Sequence, residues 1–244
     1  MPGDAFLVGT VGGIMGCITA VLGIIWVIVV NAFLSEINVY LGQLGYYAIF
    51  FYPLMPYIHY SGEPFPPLLL AFYPSASTFY VLSFIMSTSL ILTSVLIGIG
   101  LYGTHKAGGG AMGIVGPILS IIGVTLGALL IIMGNLTTGY TYTKAPVEMA
   151  TVSFWPVPTP NFPLIWIAFL ILGVTFILLG AASISVREMT DKPGASSAAG
   201  ILSIIGAVFF IVGSLWYILL IIGFGLIFVA FILWAVVFFS SLNL

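Results

Sequence analysis

The chain has 244 residues, of which 61% are hydrophobic and only 4% charged, with a formal net charge of −2. Soluble domains are roughly a quarter charged, so these few ionised side chains cannot cover a water-facing surface of this size; lipid or protein must receive the apolar area. The near-neutral balance, without a basic cluster, gives no footing for a nucleic-acid partner, and none is expected.

The N-terminal Met1-Pro-Gly-Asp4 has no basic n-region, and the apolar run 7–30 is longer than the core of a cleaved signal. It reads as a first transmembrane helix. Gly12, Gly16 and Ala20 recur on it at four-residue spacing, with Gly9 and Gly13 beside them. In lipid there is no hydrophobic drive between helices, so small residues that let backbones approach are the expected packing device. The lone Cys17 lies inside this run and can form no intrachain disulfide.

Residues 31–79 read as an outward loop dense in Tyr, Phe and Pro, with Glu36, Glu63 and His59 as its titratable groups. Its segment 37–58 is uncharged but too rich in tyrosine, with Asn38 and Gln43, for the membrane centre. A second span is expected over 80–101, with Ser83, Ser87, Ser94 and Gly98 on one face. The turn that follows carries His105 and Lys106 and then a glycine run without the GK[ST] ending that cradles phosphate. His105 is expected to be a solvated loop residue.

The third span, 111–133, carries the clearest pattern: Gly113, Ser120 and Gly127 are seven apart, with Gly116 and Gly123 between them. These positions are assigned to helix packing. Residues 135–163 form a second aromatic and proline-rich outward loop, holding Lys144, Glu148 and a glycosylation acceptor at Asn135 that abuts the membrane. Both loops suit an interfacial aromatic belt, or a compact cap docked on another subunit. Their scarcity of charge fits burial by a partner or exposure to strong acid, where carboxylates are neutral.

A fourth span is expected over 164–184, followed by a charge-balanced loop with Arg187, Glu188, Asp191 and Lys192. From Pro193 to Leu244 the chain has no Asp, Glu, Lys, Arg or His. The apolar stretch 201–239 would make a single helix of about 60 Å, twice the hydrocarbon thickness. Two spans, 199–220 and 222–241, fit better, with a turn near Gly213-Ser214 or Gly223-Phe-Gly225; one long protruding helix is the alternative. The expected fold is therefore an all-α, polytopic membrane bundle of six helices forming a single membrane domain, with five as the alternative. Lys106, Arg187 and Lys192 fall in one set of loops and Lys144 in the other. The positive-inside rule then puts the N-terminus in the cytoplasm of a cell-membrane protein.

Segments 79–123 and 162–206 begin with Phe and end in the same ILSIIG, which suggests an internal repeat in one orientation. No expected span contains an acidic, basic or histidine residue, so proton relays, ion coupling and intramembrane haem ligation have no residues to work with. His59 and His105 fall on opposite sides and cannot share a metal within one chain. No cofactor or metal is assigned. The function expected is a non-catalytic structural or accessory subunit of a larger membrane complex, a respiratory one among the candidates, in contact with lipid and other membrane subunits. Two rivals are a transporter or channel for a small neutral solute, lined by Ser87, Thr93, Ser94 and Ser120, and an apolar wall for a quinone or haem held by a partner.

Overall fold

A computed structural model describes residues 2–43, 74–107, 110–136, 138–144, 154–160, 162–214 and 218–243. Six long helices carry the fold: α1 (Pro2–Gln43), α2 (Pro74–Lys106), α3 (Met112–Leu136), α4 (Phe162–Ser185), α5 (Pro193–Gly213) and α6 (Leu219–Ser240). All six are long and apolar enough to cross a bilayer, as expected of a multi-pass membrane protein. A short antiparallel pair, β1 (Thr138–Lys144) and β2 (Phe154–Pro160), lies between α3 and α4.

The helices start where the local chemistry allows. Pro2, Pro74, Pro163 and Pro193 each sit in a first turn, where proline's missing N–H costs no intrahelical bond and its fixed φ is already helical. Within the spans, lipid offers no partners to the backbone, so uncharged sequence closes its own hydrogen bonds as helix.

The helices alternate in direction. The N-terminus, the α2–α3 turn, the α4–α5 turn and the C-terminal residues meet at one end, hereafter the Lys106 end. There Gly3 lies against the Leu242 carbonyl, and the Asp191 N–H donates to Ser241 Oγ at 3.1 Å. The β1–β2 pair and the α5–α6 turn mark the other end. Each helix packs on its sequence neighbours, and α1 also packs on α6, so the six close into a ring.

The ring is filled with aromatic rings. Phe210 and Phe224 meet edge-on with centroids 4.7 Å apart; Phe169 joins both, and Phe176 links Phe210 to Phe231. Trp26 continues the chain from Phe169 to Phe79, and Trp234 lies tilted against Phe231. The outer surface is aliphatic. On α1 the exposed residues Leu7, Val11, Ile14, Ile18, Val21, Ile25 and Ile28 alternate in steps of four and three, a straight stripe for lipid.

Several boundaries differ from the sequence reading. Helix α1 continues to Gln43 and α2 begins at Pro74, so both ends of the expected 31–79 loop are helical; residues 44–73, with His59 and Glu63, lie outside the described residues, as does Glu148. The expected 135–163 loop contains the β1–β2 pair. The break between the last two helices falls after Gly213, not at Gly223-Phe-Gly225, which is inside α6. Gly223 is needed there for packing, because a Cβ would stand 3.1 Å from the Gly206 carbonyl oxygen. His105 belongs to the last turn of α2 and stacks on Tyr102 with centroids 6.0 Å apart.

Candidate functional site: small-residue seams around the aromatic core

The chain's distinctive chemistry is in how its helices touch. On the α1–α6 seam, Gly9, Gly16 and Gly23 are seven apart, and each receives one of Phe238, Phe231 and Phe224, also seven apart, in antiparallel register. A Cβ on Gly9 would sit 2.7 Å from the Phe238 ring, and one on Gly16 or Gly23 would overlap its phenyl group. Between these knobs Gly13 meets the Ala235 backbone, its Cβ position 2.7 Å from that nitrogen. A seven-residue period keeps one helix face toward a neighbour over several turns, so three rings can lock into three glycine hollows.

On α1–α2, the Cβ position of Gly9 is 2.7 Å from Gly100 Cα, and that of Gly12 is 2.8 Å from the Ile97 nitrogen. On α3–α4, Gly116 faces Ala182 at 2.5 Å, Gly123 faces Thr175, and Gly127 faces Leu172 at 2.8 Å. On α4–α5, Gly180 and Gly200 each present a Cβ position 2.5 Å from the other's carbonyl oxygen. The α2–α3 contact is looser along the span, with Ile121 at 3.0 Å from the Gly98 position, and tight at its end, where Gly113 meets His105. The packing residues read from the sequence thus lie in contacts inside the chain. Gly12 faces α2, Gly16 faces α6, and Ala20 is buried; Gly113 faces α2, Gly116, Gly123 and Gly127 face α4, and Ser120 is buried and donates to the Gly116 carbonyl at 2.7 Å.

Two polar clasps supplement the seams. Trp26 Nε1–H donates to Ser83 Oγ at 2.6 Å, and Ser83 donates to the Phe79 carbonyl. Trp234 Nε1–H donates to Ser183 Oγ at 3.0 Å, while Ser183 and Ser196 reach each other's carbonyls, tying α6, α4 and α5 together. Neither clasp was legible as a pair. The α1–α6 lock was also missed, although Gly9, Gly16 and Gly23 and the phenylalanines at 224, 231 and 238 are both visible as seven-residue series.

The hydroxyls offered as a solute path are mostly spent locally. Ser94 donates to the Ile91 carbonyl at 2.8 Å, Ser120 to Gly116, and Thr93 pairs with Thr19 at 3.1 Å. Ser87 differs: its Oγ is buried without a hydrogen-bond partner among the described residues, as are Asn135 Oδ1 and Trp166 Nε1. The Asn135 amide nitrogen donates to the Ile131 carbonyl, so the acceptor of the glycosylation motif is partly tied to its own helix.

Several of the charged groups lie at helix ends. Asp4 is in the first turn of α1, and His105 and Lys106 are in the last turn of α2, with Lys106 Nζ 5.2 Å from the Tyr102 ring centroid. Arg187 and Glu188 occupy a 3-10 turn after α4. Among the described residues no group of three His, Cys, Asp or Glu is placed to hold a metal ion. The two ILSIIG copies sit alike: Ile118 and Ile201 face out, Ser120 and Ser203 are buried, and Ser203 donates to the Ala199 carbonyl as Ser120 does to Gly116. Comparison with protein families, with curated proteins and with solved structures finds no match.

Proposed function

We propose that this chain is a non-catalytic structural or accessory subunit of a larger membrane complex, seated in the cell membrane with its N-terminus in the cytoplasm. The observation that carries the reading is the filled ring. Its centre is occupied by interlocked aromatic side chains, its glycines are used to bring its own helices together, and its buried hydroxyls mostly bond to nearby backbone carbonyls. Such a body makes a rigid wall rather than a route. With the seams consumed internally, other subunits would meet the lipid-facing stripes or the segments at the hairpin end. A respiratory complex remains one candidate, and a wall for a quinone or haem held by a partner is compatible with the same surfaces.

The test is purification in a mild detergent, with identification of everything that co-migrates at constant ratio. Membrane subunits of a single complex are expected. A chain that runs free of other proteins in several gentle detergents overturns the reading. The buried, unpartnered Ser87 hydroxyl is the one observation that favours a neutral-solute transporter. Solute flux into vesicles containing only this chain, abolished by Ser87→Val, would establish that rival.

A further inference from the structure

After α6 the chain makes a 3-10 turn, Ser241–Asn243, that touches two parts of the ring at once. Ser241 is fully buried. Its hydroxyl donates to the Val237 carbonyl at 2.9 Å, and the same oxygen accepts the Asp191 N–H at 3.1 Å. One side chain thereby ties the end of α6 to the turn between α4 and α5. One residue further on, the Leu242 carbonyl lies against the first turn of α1, where a Cβ on Gly3 would stand 2.8 Å from its oxygen. A helix N-terminus carries amides without intrahelical acceptors and the positive end of the dipole, so a carbonyl is a favourable neighbour there. The Leu242 side chain packs against the hydrophobic core, and Phe6 stacks on Phe238 with centroids 6.3 Å apart.

From these contacts we infer that residues 241–242 are a strap that shuts the ring at the Lys106 end, coupling the first turn of α1 to the α4–α5 turn. Helices α6 and α1 are neighbours in space but not in sequence. At this same end the turns after α2 and α4 join the other neighbouring helices covalently, and the strap is the non-covalent counterpart of those turns. Each anchor has its own chemical requirement: a hydroxyl at 241 that donates and accepts together, and a residue without a Cβ at 3. Ser240 sets the contrast. Its hydroxyl donates to the same Val237 carbonyl at 2.9 Å, but it makes no bond to another element among the described residues. Because the short turn is held from both sides, loss of either anchor loosens the other. The deeper contacts, Phe231 with Gly16 and Phe224 with Gly23, do not depend on it, so release frays the end of the ring and leaves the bundle folded. The inference rests on the contacts of this turn and not on the accessory-subunit reading.

Amide hydrogen exchange of the full chain in a mild detergent tests it. Ser241→Ala removes the acceptor of the Asp191 N–H, so faster exchange at 187–192 is expected on any account. The strap requires more: exchange should also rise about three- to tenfold at the amides of 6–9, which close the first turn of α1. Gly3→Val, made on the far side of the strap, should in turn speed exchange at 187–192 by a similar factor. Exchange over 16–23 and 224–231 should stay unchanged in both variants, and Ser240→Ala should leave all four regions as they are. Exchange that rises only on the substituted side, or evenly along the whole chain, would overturn the inference. So would an equal response to Ser240→Ala.

Discussion

Gly16→Ala and Gly225→Ala make the same chemical change in two transmembrane helices with opposite surroundings. At Gly16 a Cβ lands on the Phe231 ring, while at Gly225 nothing lies within 4 Å. Phe231 is only 2% exposed and is held by Trp234 at 5.6 Å and Phe176 at 6.2 Å, so its ring has nowhere to swing. Both variants gain the helix propensity of alanine over glycine, about 1 kcal/mol. Only Gly16→Ala adds the cost of overpacking, about 1–3 kcal/mol. The difference between the two variants therefore isolates the steric cost, and corresponds to roughly a 5- to 150-fold change in the folded-to-unfolded ratio. Reversible unfolding in mixed micelles, followed by tryptophan fluorescence with Trp26 and Trp234 as core reporters, measures it. Gly16→Ala combined with Phe231→Leu should recover part of the loss, with a coupling of at least about 0.5 kcal/mol. Equal stability of the two glycine variants, or strict additivity in the double variant, would refute the knob-and-hollow account of the α1–α6 seam.

Ser83→Ala strands the buried Trp26 N–H and should cost about 1–2 kcal/mol in the same titration, above the average of about 0.6 for intramembrane hydrogen bonds; a loss near zero would mean that the indole finds another acceptor. Ser87→Ala removes a hydroxyl that has no partner and should be neutral or stabilising, whereas a loss above about 1 kcal/mol would reveal a bond that the structure lacks. Gly123→Leu and Gly127→Leu push a branched side chain into Thr175 and Leu172; each should abolish the monodisperse folded species on size exclusion, and native size and melting for both would show the α3–α4 seam to be unimportant. Cysteines at 106 and 192 in a Cys17→Ala background should label from one side of the membrane and a cysteine at 144 from the other; labelling of 106 and 144 from the same side would break the six-span topology.

Length and hydropathy were enough to read six spans, because a bilayer imposes one thickness on every crossing. They were silent on which face of each helix meets which neighbour, since lipid is as apolar as a protein interior and exposed stripes read like buried ones. Gly12, Gly16 and Ala20 show the difficulty. At 3.6 residues per turn, a four-residue step rotates about 40° and a seven-residue step only about 20° the other way. The four-residue series therefore turns from α2 at Gly12 to α6 at Gly16, while the series Gly9, Gly16 and Gly23 keeps facing α6. The β1–β2 pair was hidden for another reason. Thr138 to Lys144 alternates strand-forming residues, but the prolines of its partner argue against a strand unless all of them lie on one outer edge. The clasps Trp26–Ser83 and Trp234–Ser183 join residues far apart in sequence, and nothing local marks either member as paired.

The repeat reaches further than the two ILSIIG segments. Small residues recur at the first, fifth and eighth places of Gly116–Gly123 in α3 and of Ala199–Gly206 in α5, and again in Gly9–Gly16 of α1. Each segment meets the next helix round the ring, Gly116 against Ala182 of α4, Gly206 against Gly223 of α6 and Gly9 against Gly100 of α2. The ring is thus three antiparallel pairs, α2–α3, α4–α5 and α6–α1, with the chain ends lying inside the third. That pair has no connecting turn. Bringing its two helices together closes a loop of nearly the whole chain, which costs about 3 kcal/mol more in chain entropy than closing a turn of a few residues. A three-point interdigitation, three phenyl rings in three glycine hollows, falls on this unconnected pair. Packing there does what a short turn does for the other two pairs: it holds α6 against α1 and keeps the six helices a closed ring rather than an open fan.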